Sequence, residues 1–328
     1  MSTPSICVVV PTCRPELFAE FQAAWDSLFR KHRVTLVAVH DGERPTVEAV
    51  VYGPDALHAP PVPASEASYA AYSDLVCRRT DAVRNLGFLY AARLRPDVVI
   101  TLDDDVRPLP DYHPRCDVSS DPIAEHLDVL GKKVSTSWMN TANPIASPYL
   151  RGVPYTVRDE AVVTVSHGVW EGVPDFDGRT QLELEKANLL PSRLPYYRGV
   201  VPAGVKFPVC GMNLAVTAAA LPYLYFAPMG PDSGVPGLHR FSDIWMGLIL
   251  KAAVEKDGGA LYTGASIVLH ARASDAAQNA DREALGIAWH EHLAGRARQV
   301  PPGLVEYTRR WLDCRTAFGN EIRRLQGA

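Results

Sequence analysis

Three consecutive carboxylates, Asp103-Asp104-Asp105, close the apolar run Val98-Val99-Ile100-Thr101-Leu102. A short run of β-forming residues ended by charge reads as a buried strand of a parallel sheet, because such strands are covered on both faces and carry charge only where they emerge. Ligands of open α/β sheets bind at that carboxyl edge. Acids this close repel one another unless something cationic sits among them. Oxygen donors of this kind suit Mg²⁺ or Mn²⁺, which keep positions open for substrate phosphates. The competing reading is a solvated acidic turn, and for a lone Asp-x-Asp it is the better one.

The flanking elements decide between these readings. Ile6 to Val10 forms an apolar strand ending at Pro11-Thr12, and Leu17, Phe18, Phe21, Trp25, Leu28 and Phe29 follow at helical spacing between Glu16 and Lys31. Val34 to Val39 is a second strand, ending at Asp41-Gly42. Strand, helix, strand with a polar residue at each exit is a βαβ unit, the start of a doubly wound sheet. Residues 53 to 68 are a Pro- and Ala-rich loop, and a helical pattern from Asp74 to Arg95 leads into the acidic strand. Farther on, strands are expected at Lys133 to Trp138 and Val162 to Ser166. Helices are expected at Thr180 to Asn188, Thr217 to Leu224, Ser242 to Lys256, Asp275 to Leu293 and Leu304 to Leu325. The arginines of the last helix alternate with Glu306, Asp313 and Glu321 and read as a solvated face.

The 328 residues accommodate one large α/β domain, and 47% hydrophobic with 21% charged residues is ordinary for a globular chain. A net charge of -4 offers no electrostatic case for nucleic acid or a membrane surface, so the expected partner is small. No apolar run reaches the roughly 18 residues of a membrane span, and a cytoplasmic location is expected. Six cysteines without a C-x-x-C pair argue against a zinc knuckle and a disulfide framework. No two glycines are separated by a single residue, so there is no dinucleotide fingerprint, and neither flavin nor NAD is expected.

Strands ending in Pro-Thr, Asp-Gly and Asp-x-Asp, with Arg84-Asn85-Leu86-Gly87 on the helix between, resemble the nucleotide-sugar-binding half of GT-A glycosyltransferases. The resemblance implies that Asp41 contacts the base and Arg84 the ribose or diphosphate, with Asp103 and Asp105 holding nucleotide and metal. Pro11, Thr12 and Asp104 complete the expected nucleotide-binding set. An aspartate at a strand exit accepts from uracil N3-H or from N1-H and N2-H of guanine, so it does not choose the base. Arg84 reads equally as a helix-surface charge.

The second half resembles a narrower family. Tyr149-Leu150-Arg151-Gly152-Val153-Pro154-Tyr155-Thr156-Val157-Arg158, Val165-Ser166-His167-Gly168-Val169-Trp170, Val173-Pro174-Asp175-Phe176-Asp177, Phe207-Pro208-Val209-Cys210-Gly211-Met212-Asn213-Leu214-Ala215 and Arg240-Phe241-Ser242-Asp243-Ile244-Trp245 follow in order. They are similar to the reversibly glycosylated polypeptides of glycosyltransferase family 75, which include plant UDP-arabinopyranose mutases and bacterial relatives acting on GDP-hexoses. Ser242 departs from the plant pattern, which has an acid there.

That resemblance implies a single GT-A-like α/β domain with a mostly parallel central sheet. It divides into a nucleotide-binding half over residues 1–107, a sugar and catalytic half over 108–272, and a C-terminal helical extension over 273–328. Arg151 matches an arginine glycosylated in the plant proteins, and Arg158 a second one needed there. Chemistry favours an electrostatic role first, since two arginines beside a diphosphate stabilise the charge that grows as the C1-O bond breaks. Covalent capture comes second because arginine stays protonated. Without the resemblance, a surface ion pair with Asp159 or Glu160 explains the same residues.

Asp243 and His167 join these arginines as catalytic candidates, although Asp243 at a helix start also suits simple macrodipole compensation. Trp170, Asp175, Asp177 and Asn213 are the sugar-binding candidates, since sugars want an aromatic face and paired hydroxyl acceptors. His270 follows the apolar pair Val268-Leu269 and is expected to join Asp103 and Asp105 at the metal. A histidine in that set makes Mn²⁺ a better fit than Mg²⁺. A structural histidine is the even alternative. The expected activity is a metal-dependent, flavin-independent pyranose-furanose mutase acting on a GDP- or UDP-linked sugar, with a GDP-galactopyranose type of substrate placed first. The rivals are a UDP-arabinopyranose mutase, a metal-dependent or self-modifying glycosyltransferase using the same donor, and a non-catalytic nucleotide-sugar sensor. A homo-oligomer is compatible with all of them.

Overall fold

An apolar strand, an aromatic-faced helix and a second apolar strand set the frame of this protein, seen in a computed structural model. The structure describes residues 3–43, 45–52, 69–110, 119–138, 154, 161–191, 195–271, 275–296 and 298–327. Strand β1 (Ile6–Thr12) leads into helix α1 (Pro15–His32), which starts on a proline whose missing N–H costs nothing in the first turn. Phe18, Phe21, Trp25 and Phe29, three or four residues apart, form its buried stripe, and Arg33 ends it in a left-handed cap. The Trp25 indole N–H donates to the Val106 carbonyl at 3.0 Å, tying α1 to the turn that follows the acidic triad.

Strand β2 (Thr35–Asp41) pairs in parallel with β1, and β3 (Pro45–Val51) returns against it as an edge strand. The helical pattern expected from Asp74 resolves into a short 3-10 turn over Asp81–Val83 and helix α2 (Arg84–Leu94). Gly87 lets α2 lie flat on the sheet, since a Cβ there would stand 2.5 Å from Val9 Cγ1 and 2.7 Å from Val39 Cγ2. Strand β4 (Val98–Leu102) is buried at all five positions, as the apolar run requires.

Beyond β5 (Val106–Pro108) come α3 (Pro122–Val129), β6 (Lys133–Val134), β7 (Ala161–Gly172), α4 (Gly178–Lys186), β8 (Gly199–Val200), β9 (Asn213–Thr217), α5 (Ser242–Lys256) and β10 (Gly259–His270). The chain closes with α6 (Ala276–Leu293) and α7 (Leu304–Gln326). The sheet runs β3-β2-β1-β4-β9-β7-β10-β5, with β6 beside β7 and β8 beside β10. It is an α/β fold with C-terminal helices, and the sheet is mixed rather than mostly parallel. β1, β2, β4, β7 and β10 share one direction, while β3, β5, β6, β8 and β9 oppose it. Only crossovers long enough to hold a helix give parallel pairs, and the turn after β2 is too short for one.

The helix expected over Thr217 to Leu224 is absent. Thr217 instead ends β9 opposite Val98, and Pro222, which has no N–H to give, sits in a single 3-10 turn over Leu221–Tyr223. Trp245 on α5 packs between Trp289 on α6, stacked at 6.4 Å between ring centroids, and Trp311 on α7 at 6.1 Å. Each such buried aromatic contributes about 2 to 3 kcal/mol of transfer free energy, so this cluster fixes the helices that flank the site. Arg309 and Arg324 pair with Glu306 and Glu321 on the solvated face of α7. No helix among the described residues is long and apolar enough to cross a membrane.

Candidate active site

Where β1, β2 and β4 end and the β10 strand arrives beside them, the surface opens into three connected chambers. The first, about 370 Å³, is lined by Pro11, Thr12, Asp41 and Arg79 among others. The middle one, about 530 Å³, contains Asp103, Asp105 and His270 together with Arg14, Arg79, Arg84, Arg240 and Arg282. The third, about 250 Å³, holds His167, Trp170, Asp177 and Glu283. Arg79 and Arg84 border the first and middle chambers, and Asp175, Cys210, Arg240 and Asp243 border the middle and third. The middle chamber is lined by five arginines and six aspartates, so an anionic group entering it meets arginine directly or a carboxylate through an interposed cation.

In the first chamber Asp41 accepts from the Arg79 backbone N–H through one oxygen. Its other oxygen, Oδ1, faces Arg78 Nε at 3.7 Å, and neither atom has a hydrogen-bond partner among the described residues. Burial raises this carboxyl above the usual range. The ion pair with Arg78 holds Asp41 at the wall of this chamber. Thr12 turns inward, donating to Asp104 at 2.7 Å. Asp104 is buried and also held by the Arg14 guanidinium, so it braces the turn.

Arg84 is not a helix-surface charge. It is 2% exposed, lies over the Phe226 ring at 4.6 Å, and donates to the Asp81 carbonyl, Thr101 Oγ1, the Gly211 carbonyl and Asp103 Oδ1 at 2.6 to 3.0 Å. Its guanidinium therefore aims Asp103 into the cleft. Asn85 beside it exchanges two hydrogen bonds with the Phe226 backbone, which locks the far wall to α2.

Among the described residues no three His, Cys, Asp or Glu side chains converge as a ready-made metal cage. Asp105 and His270 form the nucleus of one. The His270 Nδ1 lies 2.7 Å from the Val173 carbonyl, which only accepts, so Nδ1 carries the proton. In the neutral ring Nε2 then presents a lone pair toward Asp105 Oδ1, 3.9 Å away. A shared proton or a bound cation satisfies both atoms across such a gap. Burial, ahead of the neighbouring Asp103, raises the Asp105 carboxyl. Asp103 is one third exposed and engaged by Arg84, so the expected three-ligand set reduces to a two-residue nucleus with Asp103 alongside. An oxygen-and-imidazole pair leaving several positions open fits a divalent cation completed by water and phosphate oxygens.

At the third chamber Asp243 is half-buried and accepts from the Gly211 N–H at 3.0 Å. Burial, reinforced by Asp81, pushes its carboxyl up to about 7. Ser242 donates its hydroxyl to Asp81, which gives the departure from the plant pattern a structural use. Asp175 is likewise raised by burial, opposed by Arg240 at 3.6 Å.

Three sequence expectations need correction. His167 does not act as a titrating catalyst: burial depresses its pKa to about 3. Cys210 N–H donates to its Nε2 at 3.3 Å, which leaves Nδ1 to donate to Thr263 Oγ1 at 2.9 Å. It holds the Cys210-Gly211 backbone. Asp177 touches the chamber but spends its carboxylate capping α4 through the Thr180 N–H at 3.0 Å. Asn213 is buried within the sheet, bonded to His126, Ser266 and the Val169 carbonyl, and lines none of the chambers. Trp170 and Asp175 do face the third chamber. Arg151 and Arg158 lie outside the described residues.

The sequence profile described as reversibly glycosylated polypeptide matches residues 1–318. This chain belongs to the reversibly glycosylated polypeptide family. It is 30% identical over 302 residues to UDP-arabinopyranose mutase 3 of Arabidopsis thaliana, covering 87% of this chain and 75% of that one. UDP-arabinopyranose mutase 1 of Oryza sativa subsp. japonica is 29% identical over 304 residues, with the same coverage. Among solved structures, glucosyl-3-phosphoglycerate synthase from Mycobacterium tuberculosis in complex with Mn²⁺, UDP and phosphoglyceric acid aligns with a TM-score of 0.43 and 14% identity. That alignment covers 92% of this chain and 80% of the other.

In this member of the reversibly glycosylated polypeptide family, sequence reasoning passed over Arg14, Arg79, Asp81, Arg240 and Arg282. Arg14 was legible in principle, because it follows Pro11-Thr12 at a strand exit. Arg240 stands three residues before Asp243. Arg282 lies on α6, within the segment read as a separate extension, yet it lines the middle chamber with Gln278.

Proposed function

We propose that this chain is a metal-dependent, flavin-independent nucleotide-sugar mutase that interconverts the pyranose and furanose rings of a UDP-linked sugar, with UDP-arabinopyranose as first candidate. What supports the base and the sugar is the kinship with UDP-arabinopyranose mutases, which puts this substrate ahead of the GDP-galactopyranose type. What supports the chemistry is one arrangement, the Asp105–His270 pair among arginines, midway between the Asp41 chamber and the chamber of Trp170 and Asp243. The base meets Asp41, the diphosphate meets Arg14, Arg79 and the cation site, and the sugar reaches Asp175 and Asp243.

A divalent cation, with Mn²⁺ preferred, held by Asp105 and His270 beside Asp103, would supply charge neutralisation for the departing diphosphate. Ring contraction breaks the C1-O bond to the diphosphate, frees O5 as a hydroxyl and makes O4 the ring oxygen, so one proton passes from O4 to O5. When C1 is recaptured by the diphosphate, no atom is gained or lost. Asp243, poised at about 7, is placed to hold that proton. Arg151 and Arg158 act with the cation site as further stabilisers of the diphosphate charge, with capture of C1 by Arg151 as the second role.

The test is incubation of the purified protein with UDP-arabinopyranose and Mn²⁺ without acceptor, followed by chromatography and NMR. UDP-arabinofuranose is the expected product. GDP-galactopyranose and other UDP-sugars form the remaining arms, and failure of every arm to isomerise would overturn the proposal. A glycosyltransferase would stay idle until an acceptor is added. Arg151→Ala is expected to lower turnover about a hundredfold while changing UDP affinity little.

A further inference from the structure

Among the described residues, five that are not glycine adopt positive φ. Arg33 and Arg95 cap α1 and α2, and Asn188 follows the end of α4, all ordinary places for a left-handed residue. The other two, Arg79 at φ 58° and Arg240 at φ 64°, end no helix, and both line the middle chamber. Left-handed backbone at a large side chain is unfavourable and persists where the surroundings over-determine it.

What over-determines Arg240 is visible. Its Nε donates to Glu283 Oε1 at 2.6 Å, and Glu283 is itself buried on α6. The second oxygen of Glu283 accepts the Gly178 N–H at 2.7 Å, at the start of α4. Gly178 admits no side chain, since a Cβ would stand 2.3 Å from the Ala280 nitrogen, so α4 and α6 meet backbone to backbone at this point. Glu283 is thus fixed from both sides. From that anchor the guanidinium reaches out to Asp175 Oδ1 at 3.6 Å, at the boundary between the middle and third chambers. Among the described residues no other cationic side chain borders both.

We infer that Arg240 is a positioning residue for the sugar end of the substrate. Held by Glu283, it turns the Asp175 carboxylate toward the third chamber, where Asp175 accepts hydrogen bonds from sugar hydroxyls. This rests on the nucleotide-sugar reading above, and it locates discrimination of the sugar in the Glu283–Arg240–Asp175 chain, away from the base.

The test compares affinity for UDP with affinity for UDP-arabinopyranose by calorimetry, alongside turnover, in Arg240→Gln, Asp175→Asn, the double variant and Arg240→Lys. The expected result for Arg240→Gln is UDP affinity within about twofold of wild type and a fall in kcat/KM of about ten- to a hundredfold, the usual cost of misplacing a substrate-orienting group. The double variant is expected to be no worse than about threefold below the weaker single variant, because the two residues act in one chain. Arg240→Lys should restore part of the loss. Equal losses for UDP and UDP-sugar, multiplicative losses in the double variant, or near-normal kcat/KM would overturn the inference. If Arg240→Gln folds poorly, Glu283→Gln provides the same comparison from the anchor side. If the wild type isomerises nothing, the functional proposal fails, while the affinity comparison still decides Arg240's role.

Discussion

The two ends of the cleft treat their carboxylates differently. At the nucleotide end Asp103 is gripped by Arg84 and Asp104 by Arg14 and Thr12, so each carboxylate has a direct cationic partner. At the sugar end Asp243 has backbone N–H donors from Gly211 and Ile244 and, among the described residues, no cation in direct contact, and burial lifts it to about 7. The first arrangement suits binding of polyanions through an interposed cation. The second suits a proton that comes and goes. Whether an arginine reaches the acid separates Asp103 and Asp104 from Asp243, while Asp175, met by Arg240, stands between the two cases.

The strongest way to break this contrast is at its fixed-charge end. Asp105→Ala is expected to reduce turnover about a thousandfold, the several kcal/mol typical of a lost Lewis-acid site, and chelator should do the same to the wild type until Mn²⁺ is restored. Activity that persists in excess chelator would remove the cation from the scheme. Arg84→Met tests the same end through stability. Removing the buried guanidinium leaves Thr101 and the Gly211 carbonyl without their donor, and a loss of about 1–3 kcal/mol should be measured by urea unfolding.

The proton-holding end is sharpened by pH. The folded protein holds the Asp243 proton up to about 7, whereas the unfolded chain releases it near the ordinary aspartate value of 3.8. Folding is therefore unpenalised by this group at low pH, and stability drains away as pH rises from about 4 to about 7. Asp243→Asn cannot ionise, so its melting temperature should fall less over that window. Parallel pH profiles for the two proteins would mean that Asp243 ionises normally. The smallest effect is expected at Asp41→Ala, where losing one acceptor should weaken UDP binding about tenfold or less and leave the melting temperature unchanged. Undiminished UDP affinity would move base recognition elsewhere.

The nucleotide end was also the more legible in sequence. Its strands are apolar runs stopped by Pro-Thr, Asp-Gly and the acidic triad, and short βαβ connections keep neighbours in sequence neighbours in space. The sugar end is assembled from segments whose meeting no local pattern announces. Arg240 meets Glu283 and Asp175 across 43 and 65 residues, and α6 returns to the cleft after appearing as an appendage. Strand β9 was missed because Asn213, buried yet polar, interrupts the apolar signal. His167 and Asn213 misled for the same reason: a polar side chain in a motif reads as functional until its buried partners are seen. Asp177 carries the sequence mark of a helix cap, three residues before Thr180, and could have been assigned from it.

The hydrogen bond from the Trp25 indole to the Val106 carbonyl has a spectroscopic consequence. It places a buried chromophore one residue from Asp105, on a helix that otherwise takes no part in the cleft. Whatever draws that turn inward must stretch or shorten this bond. A red-edge change in tryptophan absorbance or emission on adding Mn²⁺, missing in Trp25→Phe, would then follow cation loading optically, without a substrate in the cuvette.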